Sequence, residues 1–187
     1  MRLSASGLDA PGMRTSSRSG TVMMRRALRN QSQAIARSRE RPILAVSSGG
    51  GHWVELLRLR PAWERKKVVY AGVSPDGGNE VRPAPYYVLP DGNLHTKLAL
   101  IRVFLEAFRL VMRVRPAAVI STGAAPGFVV VVVAKLFGAK TIWIDSIANA
   151  EALSISGRAV RPFADVWLTQ WEHLSSEAGP QYHGSVV

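Results

Sequence analysis

The chain has 187 residues, 47% of them hydrophobic, no cysteine and a formal net charge of +11. This length and apolar content suit one folded domain with its own core, and the missing cysteines exclude disulfides, thiolate metal sites and a cysteine nucleophile. The charge is uneven: residues 1–42 hold nine arginines against two acids, net +7, and residues 43–187 hold fifteen basic against eleven acidic side chains, net +4. The body is therefore only mildly basic. No aromatic residue interleaves with the arginines before Trp53, so the stacking half of a single-strand nucleic-acid site is missing, and no specific nucleic-acid partner is expected.

Residues 1–41 are rich in Arg, Ser, Gly and Met without a sustained apolar period. They read as a disordered basic tail with a short helix around 22–36. The segment has no apolar run of signal-peptide length. Its arginine-rich, acid-poor composition is that of an organellar transit peptide; a charged tail beside a membrane, or translation starting at Met23 or Met24, are the other readings. A folded domain is expected over 42–187.

Within it the pattern alternates. A strand is predicted at 43–47, a helix at 52–60 stopped by Pro61, and a strand at 67–71. Residues 74–85 carry Pro, Asp, Gly and Asn turn chemistry and read as a loop. A short strand at 86–89 leads into the turn Pro90-Asp91-Gly92-Asn93. A long helix at 96–114 is stopped by Pro116, and a strand follows at 117–121. An apolar helix at 126–137 is closed by Gly138, although the β-branched run Val129–Val133 argues against helix there. Strands at 140–145 and 165–169 complete the set. Strands alternating with helices predict an α/β fold: a Rossmann-like parallel sheet with helices on both faces. No stretch reaches the roughly 18 apolar residues of a spanning helix, since Lys135 interrupts the most hydrophobic run.

The helix at 96–114 is amphipathic. Leu98, Ile101, Leu105, Phe108 and Met112 share one face, widened by Phe104 and Val111, and Arg102, Glu106, Arg109 and Arg113 gather on the other. On the sequence alone the favoured reading packs the apolar face on the sheet; the alternative lays it on an anionic membrane surface.

Four segments carry candidate chemistry. Ser48-Gly49-Gly50-Gly51-His52 follows the first strand and opens the helix at 52–60, which carries Glu55. Glycines let the backbone approach a bound group, and a helix N-terminus suits a phosphate or diphosphate. His52 supplies a titratable imidazole. The second segment is Ser121-Thr122-Gly123-Ala124-Ala125-Pro126-Gly127, another small-residue loop between strand and helix. The third begins at Asp145-Ser146, where Asp145 either binds a hydroxyl, acts as a base or caps the following turn. It continues to Ser154-Ile155-Ser156-Gly157-Arg158, whose small polar groups and one cation suit a phosphate or a turn. The fourth is Gln170-Trp171-Glu172-His173-Leu174, a polar–aromatic cluster of the kind found in grooves and partner contacts. No spacing of His, Asp and Glu resembles a metal site, and there is no GxSxG nucleophile elbow.

Taken in order, these segments resemble the Alg14-like family, which includes bacterial polysaccharide-biosynthesis proteins of the PssD type. The matching text is Ser47–Leu56, Ser121–Gly127, Asp145-Ser146, Leu153–Arg158, Gln170–Leu174 and Tyr182–Val186. The resemblance implies the N-terminal half-domain of a GT-B glycosyltransferase split over two chains, with a separate Alg13-like or PssE-like chain holding the nucleotide-sugar. It implies inverting transfer from a UDP-sugar to a polyprenyl-diphosphate-linked acceptor, at the cytoplasmic face of the membrane and peripheral to it. No cofactor or metal beyond the UDP-sugar donor is implied. The implied catalytic residues are His52 or Asp145. Ser48, Gly49, Gly50, Gly51, Glu55, Thr122, Gly123, Ser146, Ser156, Gly157 and Arg158 would face the acceptor and its phosphates, and Gln170, Trp171 and His173 the partner chain. A non-catalytic membrane scaffold that recruits the true transferase is the alternative.

Overall fold

The computed structural model describes residues 41–92 and 97–186. The tail at 1–40, with its expected helix at 22–36, lies outside the described residues, as do Asn93 and Thr96 at the expected turn and helix start.

Seven strands form one sheet in the order β3-β2-β1-β4-β5-β6-β7, and every neighbouring pair is parallel. They are β1 (Ile43–Val46), β2 (Val68–Gly72), β3 (Tyr86–Val88), β4 (Ala118–Ser121), β5 (Lys140–Ile144), β6 (Val166–Thr169) and β7 (Gln181–Tyr182). The helices are α1 (Gly51–Arg58), α2 (Gly77–Glu80), α3 (Lys97–Val114), α4 (Ala124–Leu136) and α5 (Ile155–Ala159). The doubly wound α/β architecture is the one expected. Three elements are additions to it: α2 within the expected loop at 74–85, α5 within the expected turn after Ser154, and the two-residue edge strand β7. All are too short to show a period in the sequence.

Strand alternation divides the core between the two faces of the sheet. Leu44, Val46, Val119 and Trp143 pack with Val103, Ala107, Leu110 and Val111 of α3 and with Val130, Val131, Val133 and Ala134 of α4. Ala45, Tyr70, Ile120 and Ile144 point the other way, onto Trp53 and Leu56 of α1, Trp63 and Val81. Burial on both sides overrides the strand preference of Val129–Val133. Val129, Val130, Val131 and Val133 are all buried in α4, where a helix that is apolar all round finds partners in every direction.

Of the apolar face expected to pack on the sheet, Val111 does so and the other described side chains do not. The buried stripe of α3 is Val103, Ala107, Leu110 and Val111, roughly a third of a turn away from it on a helical wheel. Ile101, Phe104, Leu105, Phe108 and Met112 remain 39–57% exposed. The small side chain of Ala107 explains the choice, because it lets α3 approach α4 and the sheet more closely than a phenylalanine face would. At the end of α4, Leu136 and Phe137 are exposed as well, and Phe137 meets Phe108 edge-on with centroids 5.6 Å apart.

Asp165, just before β6, ties α4 to the sheet. Its Oδ1 accepts from Lys135 Nζ at 2.6 Å and lies 3.8 Å from Lys140 Nζ, while Oδ2 accepts from the Thr141 N–H at 2.9 Å. The Lys135 hydrogen bond, helped by Thr141 and opposed by burial, lowers the carboxyl from the ordinary 3.8 to about 2. A depressed folded-state value favours folding above the unfolded pKa, and the contribution disappears as pH falls through the folded one. Asp165→Asn is therefore expected to be less stable than wild type above pH 3.8, with the gap closing as pH falls to about 2. Denaturant titrations at a series of pH values measure this; a gap independent of pH would contradict it.

Candidate functional site

From β1 the chain runs outward to β2 and β3, then returns through α3 to β4 on the other side of β1. In open parallel sheets the crevice at such a reversal, outside the carboxyl ends of the strands, is where ligands collect. Val46 pairs in register with Ser121, so the loops that leave β1 and β4 start side by side. These are the first two candidate segments.

The loops are joined by three hydrogen bonds. His52 Nδ1 lies 3.1 Å from the Thr122 carbonyl oxygen. Thr122 Oγ1 donates to the His52 carbonyl at 2.7 Å and accepts from Ser47 Oγ, 3.2 Å away. A carbonyl can only accept, so Nδ1 carries the proton of the neutral ring and Nε2 keeps its lone pair. The half-buried imidazole is thus held in the tautomer a general base needs.

The backbone around it is strained where it must turn. Gly50 caps α1 at φ 59°, and Gly123 precedes α4 at φ 136°. Ala124 follows at φ 62°, a region that costs an L-residue about 1–2 kcal/mol. Neither α1 nor α4 has a side-chain cap. Two helix N-termini with their partial positive charge therefore border one crevice.

The remaining expected residues sit deeper. Asp145 is 1% exposed; its Oδ2 accepts from the Ser154 N–H at 2.8 Å and its Oδ1 from Ser154 Oγ at 2.6 Å and Trp143 Nε1 at 3.4 Å. Ser154 Oγ in turn accepts from the Gly157 N–H at 2.7 Å and so caps α5. Ser156 and Gly157 are buried against this knot, and the exposed Arg158 donates to the Leu153 carbonyl. The geometry of Asp145, Ser156 and Gly157 is that of a capped turn, so these residues do not open onto the crevice beside His52. Glu55 is buried, accepting from Ser146 Oγ at 2.7 Å and from Gln170 Nε2 at 3.0 Å. Gln170 is 4% exposed and so is not a surface contact. Trp171 donates to the Ile147 carbonyl at 2.8 Å, and His173 Nε2 lies 2.8 Å from the Ala150 carbonyl, so both hold the loop after β5. Ser47 and the backbone of Val186 also belong to these networks. Ser47 reads in the sequence as a strand end that opens the matching Ser47–Leu56 text, with no role assigned to it, and a backbone group leaves no mark in a sequence.

Among the described residues no group of His, Asp and Glu is placed to hold a metal ion. A cleft of about 660 Å³ opens at the opposite, amino-terminal rim between Arg60, Trp63, Lys67 and Arg82, and includes none of the candidate residues.

The sequence profile described as "Oligosaccharide biosynthesis protein Alg14 like" matches residues 90–186, more than half of the chain. The chain belongs to the Alg14-like family. The match takes in Thr122, Asp145 and Gln170 and begins after the glycine loop. Relatives described as "UDP-N-acetylglucosamine transferase subunit ALG14" are 30% identical over 91 residues in Yarrowia lipolytica and 34% over 89 residues in Eremothecium gossypii. These alignments cover 45% and 40% of this chain and 42% and 39% of the relatives, so the chain spans less than half the length of the curated relatives it matches. Among solved structures, Acinetobacter baumannii MurG superposes with a TM-score of 0.62 at 12% identity, over 78% of this chain and 46% of that one. UDP-N-acetylglucosamine 2-epimerase from Rickettsia bellii gives 0.58 at 14%, over 78% and 45%. The likeness is one of fold: this Alg14-like chain has the architecture of one Rossmann-like half of a GT-B protein.

A Cβ on Gly123 would sit 2.8 Å from His52 Cε1 and Nδ1. Gly123→Ala is expected to lose roughly 1–3 kcal/mol of stability and to shift the His52 ring resonances. Gly138→Ala, at another left-handed glycine with nothing within 4 Å, should lose stability and leave His52 unmoved. NMR of the two variants checks this, and an unmoved His52 in Gly123→Ala would contradict it.

Proposed function

We propose that this chain is the acceptor-side subunit of a two-chain glycosyltransferase. The observation that carries the reading is the tautomer-fixed His52 at the strand-order reversal, in a member of the Alg14-like family. The names of its relatives point to UDP-N-acetylglucosamine as donor, and the acceptor is a polyprenyl-diphosphate-linked sugar. A separate Alg13-like or PssE-like chain supplies the nucleotide-sugar half of the cleft. The transfer inverts the anomeric centre and uses no resident metal or cofactor.

In this mechanism His52 Nε2 takes the proton from the attacking acceptor hydroxyl. The hydroxyl oxygen bonds to the sugar's anomeric carbon as that carbon's bond to the UDP oxygen breaks, and UDP leaves with the bonding electrons. The N-termini of α1 and α4, through Gly50, Gly51 and Gly123, lie against the acceptor's diphosphate. Asp145 is a positioning residue that holds the α5 turn and the rim after β5.

The exposed face of α3 supports a peripheral membrane position. Its exposed stripe of Ile101, Phe104, Leu105, Phe108 and Met112 continues onto Leu136 and Phe137, and Arg102, Arg109 and Arg113 are exposed on the same helix. Among the described residues no helix is long and apolar enough to cross a membrane. A bordering row of cations beside an apolar stripe suits the interface of an anionic bilayer.

Two experiments test the reading. Co-expression with the partner chain and a panel of UDP-sugars should give transfer to a polyprenyl-diphosphate-linked acceptor. His52→Ala should cut turnover by about 10²- to 10⁴-fold with partner recruitment intact, whereas full turnover would favour the recruiting scaffold. Separately, Phe104→Ser/Phe108→Ser should weaken co-sedimentation with phosphatidylglycerol vesicles by roughly a hundredfold without lowering stability; undiminished sedimentation would refute the α3 surface.

A further inference from the structure

Helix α1 carries three polar side chains at intervals of three residues, and each is tethered to a different element. His52 is held by the loop after β4. Glu55 is held by Ser146 after β5 and Gln170 after β6. Arg58 Nη1 donates to the Val186 carbonyl at 2.9 Å, in the segment after β7. Gln170 joins the last two tethers: its Nε2 donates to the Asp145 carbonyl as well as to Glu55, and its Oε1 accepts from the Val186 N–H at 2.9 Å. The Val186 N–H therefore fixes which end of the Gln170 amide faces Glu55, since only the NH₂ end can donate.

Glu55 is 5% exposed, and among the described residues it forms no ion pair. Burying a carboxylate without a cation is unfavourable, and a leucine of similar size would fill the same space at lower cost. Its two donors come from the ends of two different strands, so the carboxylate fixes the rotation and tilt of α1 against the rim. One helical turn earlier on the same helix stands His52.

We infer that Glu55 is a positioning residue, which aims His52 at Thr122 by locking α1 to Ser146 and Gln170, with the segment after β7 setting the Gln170 amide. The inference rests on the proposed role of His52 but has a readout independent of it. In Glu55→Leu neither the Ser146 hydroxyl nor the Gln170 amide keeps a partner on α1. Loss of this link loosens α1 and with it the His52–Thr122 bond.

The test uses the full chain, alone and with its partner. In the chain alone, ¹⁵N NMR of the histidine rings, with His52 assigned by substitution, should show one neutral tautomer protonated at Nδ1 in wild type and a mixture in Glu55→Leu. Gln170→Leu should give the same mixture, and it serves as the second variant where Glu55→Leu does not fold. In the assembled transferase, Glu55→Leu should lower kcat by roughly tenfold to a hundredfold, with KM for the UDP-sugar changed less than about twofold. An unchanged tautomer in folded variants, with only the melting temperature lowered, would overturn the inference and leave Glu55 as ordinary packing. A wild-type pair that transfers no sugar would count against the proposed function, and the tautomer measurement would still decide the role of Glu55.

Discussion

The hydrogen bond between His52 Nδ1 and the Thr122 carbonyl joins the two halves of the doubly wound sheet at the boundary between β1 and β4. Everything around it serves that contact. The parallel register brings Val46 opposite Ser121, so both loops leave the sheet at one level. Thr122 Oγ1 holds the His52 backbone, which fixes the first turn of α1 and not merely its ring. Gly123 has no Cβ, which leaves the space the ring occupies. The strained Ala124 then lets α4 start at once and bring its N-terminus to the same crevice. Strain of this kind survives only where neighbouring contacts over-determine it, and here they do so from both strands.

A second constraint is the way α3 divides its apolar residues. The helix has more hydrophobic surface than the sheet and α4 can cover, and the contact selects the stripe that allows the closest approach. The larger side chains are left outside, at 39–57% exposure. Contiguous apolar surface on a soluble domain is a mark of an interaction face. The exposed arginines on the same helix and the cation of Arg113 stacked over Tyr87, 5.5 Å from its centroid, keep that face bordered by positive charge.

Much of this was legible in the sequence. The alternation of strand and helix, the glycine loop and the small-residue loop after β4 carry local signals, because tight turns demand particular residues. The helical state of Val129–Val133 was harder, since β-branching opposes it and only burial on all sides reverses the preference. The buried face of α3 shares only Val111 with the apolar face of the wheel, because a wheel ranks side chains by hydrophobicity, whereas helix packing is decided by shape, here by Ala107. Asp145 and Gln170 look like surface chemistry in a sequence. Their partners, Ser154 for the one and Glu55 and Val186 for the other, lie at separations of 9, 115 and 16 residues, and nothing local announces a contact between strand ends.

The two features meet in the direction of the helices. In a parallel α/β unit each helix runs back against its strand, so α3 and α4 both start at the carboxyl rim and descend side by side, as the contact of Phe108 with Phe137 near the far end of α4 requires. Among the described side chains the exposed stripe begins at Ile101, the fifth residue of α3, and Met112 lies about 16 Å further along the helix at 1.5 Å per residue. It therefore starts about one turn from the rim on which His52 stands. The lipid-linked acceptor proposed above would need such an arrangement on physical grounds: its diphosphate requires a polar crevice and its hydrocarbon an apolar phase, with only a few bonds between them. A protein that met the membrane through the opposite rim would have to draw the diphosphate past the whole height of the sheet. The proposed contact along α3 would remove that demand, because the bilayer interface and the crevice would then lie at similar depth, and the proposed acceptor would enter with its hydrocarbon still in lipid.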